Sequence, residues 1–192
     1  MKIKSIEINN IRNIGRMLLN LDSKNIVIYG RNAQGKTTIL ESIYYLSIGK
    51  TMRRGLEKNI IQKNKKQGRI KGIFEDNKKD KVEIEFLLGS KKISKQNNSV
   101  SKLSDVVGQI KAVLFTAEDL SLIESPQKRR RFLDILLSLL DKNYLRNLLE
   151  YKHVLKQRNK LLFHIKQEKA EKNDLDFWNK KISILGEKIV KR

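Results

Sequence analysis

Apolar and polar residues alternate with period two over residues 2–9 (KIKSIEIN) and again over 16–21 (RMLLNL). This predicts two paired strands, each with one face buried. Residues 25–29 (NIVIY) are a short run rich in β-branched side chains that ends at Gly30, and they predict a buried strand entering a glycine loop. Beyond that loop Ile39, Leu40, Ile43, Tyr44 and Leu46 recur at helical spacing, with Gly49 as a stop signal. The local order is therefore strand, loop, helix. From Gly68 to Lys95 the strand pattern returns: IKGIFED and KVEIEFLLG alternate around Asp76–Asp80, and KKISK follows Gly89 and Ser90. An antiparallel meander is expected there. Lys111–Phe115 (KAVLF) predicts one more buried strand, leading into the acidic pair Glu118–Asp119.

The period changes beyond Ser125. Pro126 suits the first turn of a helix, with Ser125 as its N-cap, and helical spacing then runs almost to the end. Leu148, Tyr151, Leu155, Leu162 and Ile165 form one apolar seam, interrupted by Arg158, and Leu175, Trp178, Ile182, Leu185 and Ile189 form a second. The charged connector KQEKAEKND lies between them, so two antiparallel helices in a coiled-coil-like hairpin are predicted. The expected division is 1–124 for a loop-bearing α/β part and 125–192 for a helical arm. The helical pattern is still running at IVKR, which reads as a truncated piece of a longer protein.

Composition narrows the function classes. The chain has 192 residues, 39% hydrophobic and 33% charged, enough for one core or a core with an appendage. No stretch approaches the ~20 apolar residues of a membrane span. The opening MKIKSIEINN alternates instead of forming a signal-peptide core, so a cytoplasmic protein without membrane contact is expected. The absence of cysteine excludes disulfides and thiolate metal sites, and His153 and His164 alone make a histidine metal site improbable. The formal net charge of +21 favours a polyanionic partner, nucleic acid first. A lysine-rich composition from an AT-rich genome is the competing reading, because the lysines are scattered along the chain.

Gly30-Arg31-Asn32-Ala33-Gln34-Gly35-Lys36-Thr37-Thr38 satisfies G-x-x-x-x-G-K-[ST] at every fixed position. Gly30 and Gly35 admit backbone angles and close approaches that a side chain would block. Successive N–H groups can then cradle phosphate oxygens, and the following helix adds its positive N-terminal end. In such a loop Lys36 reaches the β- and γ-phosphates of ATP, and the Thr37 hydroxyl is placed to ligate Mg²⁺. The alternative, a glycine-rich turn without ligand, does not account for Lys-Thr at its end.

Several segments resemble the RecF family, bacterial recombinational-repair ATPases of the ABC/SMC-like class. The opening KIKSIEINNIRNI is similar to the family's first strand and its F-R-N element, here Ile11-Arg12-Asn13. GRNAQGKTTILESIYYLSIGK is similar to its loop and helix, including Gln34 and Glu41, and VLFTAEDLSLIESPQKRRRFLD to its T/S-P-E-D segment and arginine triplet. YKHVLKQRNKLL, at Tyr151–Leu162, is the most distinctive match. Ile11 replaces the usual phenylalanine and Ala117 the usual proline. The resemblance implies a P-loop ABC-type ATPase head, with a mixed sheet and an antiparallel β subdomain, plus the helical hairpin arm. It implies Arg12 and Asn13 beside the nucleotide, and Glu118, or its neighbour Asp119, near Mg²⁺. For the full-length family it implies weak ATPase activity, ATP-dependent homodimers, DNA binding at gaps and single-strand/double-strand junctions, and work with RecR and RecO in loading RecA. No hydrophobic run ending in Asp-Asp or Asp-Glu and no L-S-x-G-Q-like signature occurs in this sequence. Turnover by the chain alone is therefore not expected.

The remaining residues carry two readings each. Arg12 and Asn13 are either nucleotide contacts or an exposed strand-end turn, and Glu118 and Asp119 are either Mg²⁺ ligands or helix-capping acids. Arg129, Arg130 and Arg131 are either DNA contacts or a solvated helix start, salt-bridged to Asp134. Lys152, Lys156, Lys160 and Lys166 line one helix face, which tracks DNA or is simply solvated. Trp178 reads as core, and His153 and His164 as surface. Two other functions compete with the repair ATPase: an overcoming-lysogenization-type ATPase, and a binding module that holds nucleotide or DNA without turnover.

Overall fold

The alternating segments do form a sheet, because each places its apolar residues on the same face. The computed structural model describes residues 2–51, 59–75, 81–89, 92–96, 98–100, 102–116 and 125–191. Strands β1 (Lys2–Ile11), β2 (Ile14–Asn20), β3 (Gly68–Glu75), β4 (Lys81–Leu88), β5 (Lys92–Lys95) and β6 (Asn98–Val100) join in the order β2-β1-β3-β4-β5-β6. Each neighbouring pair is antiparallel. Register aligns Ile8 with Met17 and Ile70, Ile70 with Phe86, and Gly72 with Ile84, so one face is continuously apolar.

Helix α1 (Lys36–Ile48) packs on that face against β1, β3 and β4. Leu46 is fully buried, and Tyr45 meets Phe86 edge to face at 5.1 Å. Gly72 allows this approach: a Cβ there would stand 2.6 Å from Leu46 Cδ1. Gly49, at φ 63°, ends the helix in the left-handed conformation and donates its N–H to the Tyr45 carbonyl. The core of Ile6, Ile8, Ile11, Ile70, Phe74 and Ile84 is completed by Ile60, Val106 and Ile110 from connecting segments.

The opposite sheet face is a ladder of cross-strand ion pairs. Arg69 bonds Glu85 and lies 3.4 Å from Glu7, Lys71 pairs with Glu83 at 2.8 Å, and Lys4 pairs with Glu75 at 2.6 Å and Asp22 at 2.7 Å. Two amines flank Asp22, and hydrogen bonding from Lys4 and then Lys2 holds its carboxyl below the usual range.

Two predicted buried strands are corrected. Residues 25–29 and 111–115 belong to no strand, and Val27 (82%), Tyr29 (90%) and Phe115 (80%) are largely exposed. Only Ile28 of the first run packs partly on the core. β-branched runs record a preference for a pleated, half-buried environment, and no strand among the described residues pairs with either segment.

The chain divides into two compact units, Met1–Pro126 and Gln127–Arg192. The second contains α2 (Pro126–Leu140), α3 (Lys142–Lys166) and α4 (Leu175–Val190). Pro126 opens α2 as expected, but the helical run breaks at Asp141, whose carboxylate caps α3 by accepting from the Asn143 and Tyr144 N–H groups. Helices α3 and α4 form the predicted hairpin. Leu148 and Leu185 are buried, Trp178 is half-buried, and Arg158 donates to Asn179 Oδ1 at 2.8 Å across the seam. Val154, fully buried, is the seam residue that the spacing missed.

Candidate functional site

The candidate site begins at the hairpin between β1 and β2. Ile11 pairs with Ile14, leaving Arg12 and Asn13 as a two-residue turn with Arg12 at φ 49°. A bulky residue in the left-handed region needs support. Arg12 has it: its N–H donates to the Ile60 carbonyl at 2.7 Å, and its guanidinium faces Glu41 of α1, with Nε 3.0 Å from one carboxylate oxygen and Nη2 3.1 Å from the other. Glu41 is half-buried, so this pair ties the turn to the helix that follows the phosphate loop.

Asn13 ties the same turn to the loop itself. Its Nδ2 donates to the Ala33 carbonyl at 2.6 Å, and its Oδ1 accepts from the buried Thr38 hydroxyl at 3.1 Å. The amide therefore spans the loop from its crest to the first turn of α1. Ala33 lies at φ 62°, and Gly30 and Gly35 at φ 145° and 96°, so three loop residues occupy a region costly for ordinary side chains. A Cβ on Gly35 would come within 3.1 Å of Ile14 Cγ1, a tight contact added to the strain that φ 96° imposes on any other residue.

Helix α1 has Gly35 at its N-cap, no side-chain cap and no acidic residue in its first turn. Its first intrahelical bond is Ile39 N–H to the Gly35 carbonyl, which leaves the preceding N–H groups pointing toward the loop. Lys36 Nζ donates to the Gly30 carbonyl at 2.8 Å and the Arg31 carbonyl at 2.7 Å. The cation thus lies across the mouth of the loop. Arg31, Asn32, Ala33, Gln34 and Thr37 are exposed. The two adjacent hydroxyls are used differently: Thr38 donates to Asn13, whereas Thr37 is free for a ligand. Such a site can receive an anionic chain of phosphate oxygens, with a cation and helix N–H groups around it.

A profile of the AAA domain family matches residues 5–190. The chain belongs to that family. It is 40% identical over 188 residues to the DNA replication and repair protein RecF of Acholeplasma laidlawii, covering 97% of this chain and 51% of the relative. A solved structure of the recombination mediator protein RecF with ATP in the RecFOR pathway superposes with a TM-score of 0.93 at 32% identity, over 99% of this chain and 52% of that one. A structure from work on ATP-driven dimerization of SMC ATPases, at 17% identity, TM-score 0.58, and coverage of 71% and 99%, shares the fold. The chain spans about half the length of the curated relatives it matches. The resemblance to RecF read from the motifs thus holds along the chain, and the ABC-type head fold with it.

The structure places Asn13 against Ala33 and Thr38 of the loop and Arg12 against Glu41 of α1, so both side chains have protein partners. Glu118 and Asp119, and Ala117 beside them, lie outside the described residues. Among the described residues no group of acidic or histidine side chains is spaced to hold a metal by itself, and no helix is long and apolar enough to cross a membrane. In the helical unit Arg129, Arg130, Arg131, Lys156, Lys160 and Lys166 are exposed. Asp134 accepts from the Tyr144 hydroxyl at 2.8 Å and lies 3.6 Å from Lys152. His153 is exposed, while His164 stacks edge to face with Phe163. Sequence reasoning missed the Asn13 bridge. Its one available signal was an amide in the shortest connection between two alternating segments.

Proposed function

We propose that the chain binds ATP through Gly30, Arg31, Asn32, Ala33, Gln34, Gly35, Lys36, Thr37 and Thr38, as part of a protein that acts on DNA in repair and replication. The observation that carries this reading is the loop itself: left-handed glycines, a lysine folded across it and an uncapped helix N-terminus occur together within residues 30–38. Similarity to RecF with ATP supports adenine nucleotide as the ligand. Thr37 is the hydroxyl that would ligate Mg²⁺, which supplies charge neutralisation at the phosphates. In this reading Asn13 shapes the loop from behind, and Arg12 holds the turn in place through Glu41.

The DNA side of the proposal rests on the net charge of +21 and on the RecF relatives. Arg129, Arg130, Arg131, Lys152 and Lys156 are the residues proposed to touch DNA from the helical unit. Gapped substrates, ATP-dependent pairing of two heads, and cooperation with RecR and RecO in loading a recombinase belong to the same proposal for the whole protein.

The test is Mg²⁺-dependent binding of a fluorescent ATP analogue, with Lys36→Ala as control. Saturable binding lost in the variant is expected. Equal binding by the wild type and a folded Lys36→Ala variant would overturn the assignment of the loop.

A further inference from the structure

Two sets of basic side chains in the first unit differ in how they are matched. On the outer sheet face, Lys4, Arg69 and Lys71 are each matched to a carboxylate within 3.4 Å. A polyanion there would have to displace Glu7, Glu75, Glu83 and Glu85, so this face does not offer it a net positive surface. The short loop entering β3 is different. In its sequence Gln62-Lys63-Asn64-Lys65-Lys66-Gln67, all three lysines are exposed, and no carboxylate pairs with them among the described residues.

This loop is built, not slack. Gln62 N–H donates to the Asn10 carbonyl at 2.9 Å, and Lys65 N–H closes a turn onto the Gln62 carbonyl at 3.0 Å, with Asn64 at φ 67° between them. At its far end, Gly89 lets the backbone of β4 lie against Lys66: a Cβ there, at φ 94°, would stand 2.5 Å from the Lys66 carbonyl oxygen. The loop is thus pinned at both ends and across its middle. Fixing the backbone in advance lowers the ordering cost of binding. One of the pins is the β1–β2 hairpin, whose Asn13 holds the phosphate loop, so the lysines stand on the structure that shapes the nucleotide site.

We infer that Lys63, Lys65 and Lys66 form a contact surface for the phosphate backbone of nucleic acid, separate from the basic residues of the helical unit. The inference deepens the DNA-binding part of the proposed function and rests on it. A bilayer is not favoured as the partner, because Gln62–Gln67 contains no apolar side chain to insert. Base reading is not expected either, since lysines on phosphates position a protein without specifying sequence.

The experiment is fluorescence anisotropy of a fluorescein-labelled duplex oligonucleotide with this chain from 50 to 300 mM salt. Wild type, Lys63→Gln/Lys65→Gln/Lys66→Gln, and a control with Lys24→Gln/Lys102→Gln/Lys111→Gln are compared, the last removing the same charge from exposed lysines elsewhere. Three lost phosphate contacts should reduce the slope of log K against log salt by about 2.7 and weaken binding at low salt at least about tenfold. The control should change the slope by less than one contact's worth, and both variants should bind the ATP analogue like wild type. DNA binding by wild type with an unchanged slope in the loop variant, or an equal drop in the control, overturns this surface while leaving DNA binding intact. No DNA binding by wild type at 50 mM salt would overturn the underlying reading as well.

Discussion

Removing the side-chain amide of Asn13 tests whether the hairpin shapes the nucleotide site. Asn13→Ala deletes two hydrogen bonds, one to the Ala33 carbonyl at 2.6 Å and one from the buried Thr38 hydroxyl at 3.1 Å. At a net value of about 1 kcal/mol each, the loop loses about 2 kcal/mol of support for its binding-ready shape. That corresponds to roughly thirtyfold weaker nucleotide affinity at 25 °C, provided the loop must be in this shape to bind. Asn13→Asp should be worse than Asn13→Ala, because it places a carboxylate against the Ala33 carbonyl while still accepting from Thr38. Ala33→Gly in the Asn13→Ala background relieves a left-handed alanine at φ 62°, a conformation that costs ordinary residues about 1 kcal/mol. It should recover about fivefold of the loss. The assay is titration of a fluorescent ATP analogue, with unfolding midpoints measured alongside. Affinity of a folded Asn13→Ala variant within twofold of wild type would refute the reasoning, as would an Asp variant that binds as well as Asn.

Arg12→Ala removes the guanidinium from the Glu41 carboxylate; because the guanidinium keeps some solvent contact, the expected destabilisation is about 2 to 3 kcal/mol in urea unfolding, at or below the range for breaking a buried pair. Arg12→Ala/Glu41→Leu should lose less than Arg12→Ala alone. Gly72→Ala forces a methyl to within 2.6 Å of Leu46 Cδ1 and Phe74 Cε2, and should lower stability by about 1 to 3 kcal/mol, whereas Gly15→Ala, with open space around its Cβ position, should be near neutral in thermal melts. Burial, with the Asp134 hydrogen bond second, pushes the Tyr144 hydroxyl from an ordinary value of 10.0 up to about 12. Its folded value exceeds its unfolded one, so its contribution is complete below pH 10 and disappears as pH rises toward 12. Tyr144→Phe should therefore flatten the loss of stability between those limits in circular-dichroism melts, and a variant as alkali-sensitive as wild type would contradict the assignment.

The elements legible in the sequence were those whose pattern and partners are both local. β1 and β2 are joined by two residues, β3 and β4 are neighbours in the chain, and α1 carries its own stop signal at Gly49. Residues 25–29 and 111–115 have the right composition for buried strands but pair with none of the described strands, and composition does not encode where a partner comes from. The break at Asp141 was readable in principle, since aspartate two and three residues before free N–H groups is an N-cap; the uninterrupted apolar spacing around it concealed the signal. Likewise Val154 was passed over because its neighbour Leu155 fits the seam spacing, and Arg158, read as an interruption, bonds Asn179 across the seam.

The phosphate loop was legible as a string because its chemistry uses backbone N–H groups, and only the two glycines, the lysine and the hydroxyl residue after it need be fixed. What holds that string in shape was not, since Asn13 and Arg12 act from a hairpin some twenty residues away. The position of Lys36 shows why this support matters. Its ammonium sits on the Gly30 and Arg31 carbonyls, both loop acceptors, at 2.8 and 2.7 Å. A phosphate oxygen is the stronger partner, because there the ammonium meets a full opposite charge, whereas a carbonyl offers only a dipole. Nucleotide entry therefore draws the lysine off the carbonyls at a net gain. Those carbonyl contacts no longer brace the loop once they are lost, and the Asn13 amide and the Arg12–Glu41 pair remain to hold it. The hairpin contacts should accordingly matter more to the nucleotide-bound chain than to the free one. Asn13→Ala should cost more in the melting temperature measured with saturating nucleotide than in the one measured without it, and an equal shift under both conditions would remove the hairpin from the binding argument.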